Sequence, residues 1–197
     1  MSTWISKALV AAVLLSGCVA PGGGPATSAD STAAAPRSTI ALGTVKVAGP
    51  QGFCPVPSSR QRVGNADFVA LAPCSGTQGA ILAATIGEAG SAQGIRLSAA
   101  VLKPYFGTEE GQRALRGEGN SDVISVHEVQ DQSGAVVLRL TREGQTKVGD
   151  SWRALMQVDG RLVTLSVRPR QGGSLPRQDG HRLISRFVAA IRGANRP

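Results

Sequence analysis

The sequence predicts an α+β domain: an antiparallel sheet of hairpins covered by a central helical segment and a C-terminal amphipathic helix. Three observations carry that expectation. Two hairpin signatures follow one another, Asp131-Gln132-Ser133-Gly134 and then Asp159-Gly160, each between alternating runs. Residues 175–192 place apolar side chains at helical spacing. Residues 98–116 read as one or two helical pieces, set apart from both hairpins. Hairpins in series with segregated helices give an antiparallel sheet faced by helices.

In chain order, Val45-Lys46-Val47 reads as a short strand before a Gly49-Pro50 turn. Residues 67–72 alternate apolar and small side chains, and 80–86 form an apolar run of strand length. The 73–79 turn joins them and carries Cys74. Pro104 and Gly107 interrupt the 98–116 segment, so a second piece is expected over 109–116, capped by Thr108. Glu109-Glu110 suits a helix start, where the macrodipole favours carboxylates. Residues 123–129 and 135–142 form the first hairpin, and 152–158 and 161–168 the second. An Asp-Gly pair is a strong hairpin signal because a type I′ turn needs positive φ at both central residues. In the closing helix Leu183, Ile184, Phe187, Val188 and Ile191 share a face. Ser174 is the expected N-cap, Pro176 fits the first turn and Gly193 the C′ position. Trp152 alternates with Ala154, Met156 and Val158, which places it on the core face of its strand.

This element order, with Trp152 and then Asp159-Gly160-Arg161-Leu162-Val163-Thr164-Leu165 leading into the last helix, resembles the PsbP-like fold. A photosystem extrinsic subunit and many small bacterial lipoproteins share that fold. The closing pattern is also similar to a group of uncharacterised lipoproteins from alphaproteobacteria. The resemblance covers about 45–192. It implies a fold and no active site, because function resides in sites.

Residues 1–17 read as a lipoprotein signal peptide. Lys7 gives a basic start, 8–15 are continuously apolar, and Leu15-Ser16-Gly17-Cys18 resembles a bacterial lipobox. The apolar run is far short of the roughly 20 residues that span a bilayer. In a lipobox protein Cys18 is lipidated and becomes the first residue. That implies a chain anchored in the cell envelope, on a membrane facing the periplasm, and Val19 in place of an aspartate favours the outer membrane. An ordinary signal peptide cut near Ala20, with Cys18 lost, is the alternative. Residues 18–44, rich in Ala, Gly, Pro, Ser and Thr, lack aromatics and have few large apolar side chains to offset ordering entropy. They read as the lipidated cysteine and a flexible tether, followed by one globular domain over 45–197.

With Cys18 lipidated, Cys54 and Cys74 remain as an even pair in an oxidising compartment. A disulfide between them contributes about 3 kcal/mol in the chain-entropy model. No cofactor and no metal site is expected. There is no Cys-x-x-Cys, and no His, Asp or Glu cluster has ligand spacing.

The net charge of +8 lies mostly in the last third, where eleven Lys/Arg face four Asp/Glu. Arg177, Arg182, Arg186 and Arg192 on the closing helix are the candidate anion-binding residues. Their possible partners are anionic lipid, glycan or an acidic protein; the alternative is a solvated face. Nucleic acid is excluded by export and by the absence of interleaved aromatics. Catalytic residues are not expected. Ser125 and His127 share a strand face but stand too far apart for a nucleophile–base pair, and no Gly-x-Ser-x-Gly elbow is present. His127 reads as a surface or half-buried residue, and His181 as solvent-facing. The expected role is structural or partner-binding, in a lipid-anchored envelope protein that is not an enzyme. A binder of anionic lipid or glycan is the alternative, and an envelope hydrolase the third.

Overall fold

Ten strands and three α-helices occupy the described residues, 38–76, 79–116, 122–143 and 148–196, of the computed structural model. In order they are β1 (Thr39–Leu42), β2 (Val45–Ala48), β3 (Phe53–Pro55), β4 (Gln61–Val63), β5 (Ala66–Pro73), β6 (Ala80–Ile86), α1 (Ala99–Tyr105), α2 (Glu109–Arg116), β7 (Val123–Gln132), β8 (Ala135–Glu143), β9 (Val148–Val158), β10 (Arg161–Pro169) and α3 (Arg177–Ala194). The class is α+β, as the hairpin pattern implies. Ser133 and Gly134 take φ of 50° and 68°, and Asp159 and Gly160 take 49° and 68°. Two consecutive left-handed residues are what a type I′ turn requires, so β7 folds onto β8 and β9 onto β10.

The larger sheet runs β3-β5-β6-β10-β9-β8-β7, with β4 also paired to β5. β10 lies beside β6, pairing Val163 with Ile86 and Pro169 with Ala80. β1 and β2 form a separate hairpin. The sheet buries both faces where β8 runs through it. Ala135 and Val137 join one core, while Val136, Leu138 and Leu140 join another. Such a strand reads as a continuous apolar run, here Ala-Val-Val-Leu, because neither face is left for water.

The first core lies under α3 and the β1–β2 hairpin. Leu42, Val47, Leu71, Leu82, Trp152, Leu165, Phe187 and Ile191 are all buried in it. The helix approaches the strand closely at Gly180, where a Cβ would fall 2.1 Å from Trp152 Nε1. The second core lies under α1 and α2. Leu102, Phe106 and Leu115 rest on Ile124, Val136, Leu138 and Leu140. The Cys54–Cys74 disulfide is present, with Cα atoms 5.1 Å apart, and ties β3 to the end of β5.

Several boundaries differ from the sequence reading. Thr39–Leu42, assigned by composition to the tether, is strand β1, and Leu42 is fully buried. Residues 18–37 of the tether lie outside the described residues. β3 and β4, three residues each, were not expected. α3 does not start from Ser174; its N-cap is Pro176, without a side-chain bond. Leu175 precedes a proline, which disfavours the α conformation that a Ser174 cap would demand of it. Nor does Gly193 end the helix. Asn195 is the C-cap, and its amide donates to Lys46 O at 2.7 Å while its Oδ1 accepts from Lys46 N at 2.8 Å. Fastening to β2 carries the helix past the glycine. Pro104 lies inside the last turn of α1 instead of breaking it.

Candidate ligand-binding cleft

The second face of the sheet is covered only in part. Ser98 Oγ caps α1 by accepting from Val101 N at 3.4 Å, and Asp131 on β7 accepts from Ala99 N at 2.9 Å. Thr108 Oγ1 accepts from Gly111 N at 3.1 Å and starts α2, as expected. Gly111 is needed there because a Cβ would lie 2.1 Å from Tyr105 O. The two short helices are thus pinned over β7 and β8. On their far side the 87–98 loop is fixed to the β9–β10 hairpin. Gly87 N donates to Leu162 O at 2.9 Å, Ala92 N to Gly160 O at 3.2 Å, Leu162 N to Ser91 Oγ at 2.9 Å, and Arg161 Nη1 to Gly87 O at 2.9 Å.

Between helix and loop lies a cleft of about 510 Å³, within the usual range of small-molecule sites, roughly 300–1,000 Å³. Ile95 and Leu97 of the loop, Val101, Leu102, Tyr105 and Phe106 of α1 and its cap, and Leu115 of α2 form its walls. Leu138, Arg153, Leu155, Leu162 and Thr164 form its floor. Register puts Leu138 opposite Arg153 and Leu155 opposite Thr164, so the floor is a two-row patch crossing β8, β9 and β10. Five large apolar side chains are exposed among the described residues. Three of them gather at this cleft: Ile95 at 41%, Val101 at 44% and Tyr105 at 38%.

Arg153 is the one charged side chain on the floor, with Arg96 exposed above it on the loop. Arg153 is mostly buried and has no ion pair among the described residues. Burial, aided by the like charge of Arg142, pulls its guanidinium down to about 10, so it stays a cation at neutral pH. Arg142 itself pairs with Asp122 at 3.1 Å. On the opposite face Arg139 is differently placed. It bonds Glu128 at 2.7 Å and Asp150 at 3.1 Å. Desolvation works to lower Arg139 and to raise Glu128. The hydrogen bonds and charges of the network outweigh it, raising the guanidinium and holding the carboxyl below its ordinary range.

The residues singled out by sequence are dispersed. Cys18 lies outside the described residues. Arg177 pairs with Glu128, Arg182 with Asp179, and Arg192 Nη2 donates to Gly134 O at 2.8 Å. Only Arg186 of the four is exposed without a partner among the described residues. His127 sits in a β-bulge and bonds Thr141 Oγ1 at 2.9 Å, not Ser125. His181 is half-buried rather than solvent-facing. Its Nε2 lies 2.8 Å from Gln130 Nε2 and its ring stands edge-on to Trp152 at 5.3 Å. No group of three His, Cys, Asp or Glu that could hold a metal occurs among the described residues.

Sequence reasoning grouped Arg153 with the general basic excess. The available signal was β8, apolar at consecutive positions. It marks both faces of the sheet centre as covered, so an arginine one strand away and out of phase with Trp152 must enter a covered face. No protein-family model matches the chain, and no curated protein does.

Proposed function

We propose that the chain is a lipid-anchored envelope protein whose domain binds a ligand in the cleft between α1, the 87–98 loop and β8–β10, without chemistry of its own. The observation that carries this reading is the gathering of Ile95, Val101 and Tyr105, exposed, around a floor built largely of Leu138, Leu155 and Leu162. Soluble proteins rarely leave apolar side chains clustered in water unless something covers them. The element order supports a PsbP-like arrangement, and the Leu15-Ser16-Gly17-Cys18 motif supports anchoring through Cys18. Among the described residues no helix is long and apolar enough to cross a membrane. Lipid at Cys18 gives the protein a membrane address of another kind.

Two measurements test the proposal. A neutral, environment-sensitive dye should bind saturably and lose its site in Thr164→Trp, which fills the floor. Absence of saturable binding by the wild-type chain overturns the cleft reading. Cys18→Ala should leave a precursor of unprocessed mass that no longer partitions into detergent; normal processing and membrane retention overturn the anchor.

A further inference from the structure

We propose that the cleft receives the chain of a single-chain, monoanionic amphiphile, a long-chain carboxylic acid, with its carboxylate against Arg153. This rests on the cleft being a ligand site and adds which ligand it takes.

The apolar lining of walls and floor selects the body of the ligand. Leu102, Phe106, Leu138, Leu155 and Leu162 offer no side-chain donor or acceptor. A group lodged among them gains only by being apolar, in proportion to the apolar surface it removes from water.

Arg153 selects the head. A guanidinium presents five N–H donors and no acceptor. That of Arg153 is largely withdrawn from water, and the charge acting on it, that of Arg142, has the same sign. A desolvated cation without a counter-charge is costly, and an entering anion recovers that cost. The planar fork matches the two oxygens of a carboxylate in bidentate contact.

Charge balance selects one negative charge. Arg142 already faces Asp122, so among the described residues Arg153 contributes one positive charge without an ion-pair partner, in a mostly apolar lining. A carboxylate neutralises it, whereas a dianionic phosphate leaves a net charge in a low-dielectric space. Arg96, exposed at the mouth, stays hydrated and raises the local concentration of anions without fixing one.

The test uses the full chain carrying Cys18→Ser, which cannot be acylated, purified without detergent. A long-chain fatty acid, the alcohol of equal chain length and the corresponding monoacyl phosphate are each titrated by calorimetry, and occupancy is checked by native mass spectrometry. The acid should bind about ten- to a hundredfold more tightly than the alcohol, the range expected for a hydrogen bond to a charged group. Arg153→Gln should remove that preference by weakening the acid alone, and Arg153→Lys should retain part of it. Both variants should melt cooperatively, which shows that they are folded. Equal affinity of wild type for acid and alcohol, or unchanged acid binding by Arg153→Gln, overturns the assignment of the head to Arg153. Tighter binding of the phosphate overturns the monoanion. Failure of acid and alcohol alike to displace a saturably bound neutral dye overturns the long-chain ligand, whereas absence of saturable dye binding overturns the cleft itself.

Discussion

On the α3 side of the sheet Val69, Leu71, Leu82, Leu165, Phe187 and Ile191 are sealed to 0% exposure, whereas on the α1–α2 side Ile95, Val101 and Tyr105 keep 38–44% of their surface in water. The difference follows from helix length. α3 has 18 residues, about 27 Å at 1.5 Å per residue, and strands stand about 4.8 Å apart. It can therefore reach across several strands, and the β1–β2 hairpin covers more of the same face. α1 has 7 residues and α2 has 8, about 10–12 Å each, enough for two strands. What remains on that face is the cleft. One sheet thus carries a face that supplies cohesion and a face that is left incomplete, and Arg153, which has no ion pair among the described residues, lies on the incomplete one.

The largest expected effect separates the two cores directly. Phe187→Ala should cost about 3–5 kcal/mol, because Phe187 is fully enclosed. Leu102→Ala, beside an open cleft and still 8% exposed, should lie near the low end of its class, about 2 kcal/mol, since its surroundings can relax into the space. Urea denaturation of the two variants measures the contrast. An equal or larger loss in Leu102→Ala would mean that the α1–α2 face is no less tightly built than the other.

Removing the disulfide should rank next. Cys54→Ala together with Cys74→Ala should lower stability by about 3 kcal/mol and leave dye binding in the cleft unchanged. The bridge joins β3 to β5 at the far edge of the sheet. Loss of dye binding in a variant that remains folded at the assay temperature breaks the separation of the two regions.

The ion network on the α3 face gives a pH-dependent contrast. Glu128 has a carboxyl held below its ordinary value by Arg139 and Arg177 against the opposing effect of burial. A depressed carboxyl contributes stability above its unfolded value, about 4.3, and loses it as the pH falls through the folded value. Glu128→Gln should therefore be about 1.5–3 kcal/mol less stable than wild type at pH 7. The gap should close as the pH falls through the acid range. A constant gap from pH 7 to pH 3 shows that the charge of Glu128 is not what matters.

Local chemistry made much of the fold legible. The two type I′ turns are encoded by two residues each, and the closing helix by a repeat that tertiary contacts only reinforce. β1, β3 and β4 were hidden because so few residues show little period; β1 and β4 fold back onto the next strand through the short turns Gly43-Thr44 and Gly64-Asn65, and β3 pairs with the far end of β5. The true ends of α3 were hidden too. One depends on Leu175 standing before a proline, the other on Asn195 reaching Lys46. The cleft was least legible of all. Ile95, Tyr105, Leu138, Arg153 and Leu162 are spread along the chain; the last three meet only through the register of β8, β9 and β10, and the first two reach them from α1 and the loop before it. The basic excess drew the reading to Arg177, Arg182 and Arg192, which stay exposed but find partners in Glu128, Asp179 and Gly134.

The smallest expected effect is the most discriminating, because its sign differs between two arginines on neighbouring strands. Arg139 stands between two carboxylates on the closed face, and Arg153 stands without one on the open face. Replacing Arg139 by Met leaves Glu128 and Asp150 half-buried without that counter-charge, so Arg139→Met should be destabilising. Replacing Arg153 by Met removes a desolvated charge that has no ion-pair partner among the described residues and keeps an apolar stem of similar length. Buried charges replaced in this way are neutral or stabilising, and Arg153→Met should gain about 1 kcal/mol, a rise in Tm of about 2–4 °C for a domain of this size. A residue that lowers the stability of the empty protein is the mark of a group retained for a ligand rather than for the fold. Thermal melts of the two variants, without added ligand, decide the matter. If Arg153→Met melts below wild type, the guanidinium has a structural partner and the open face is stabilised by it.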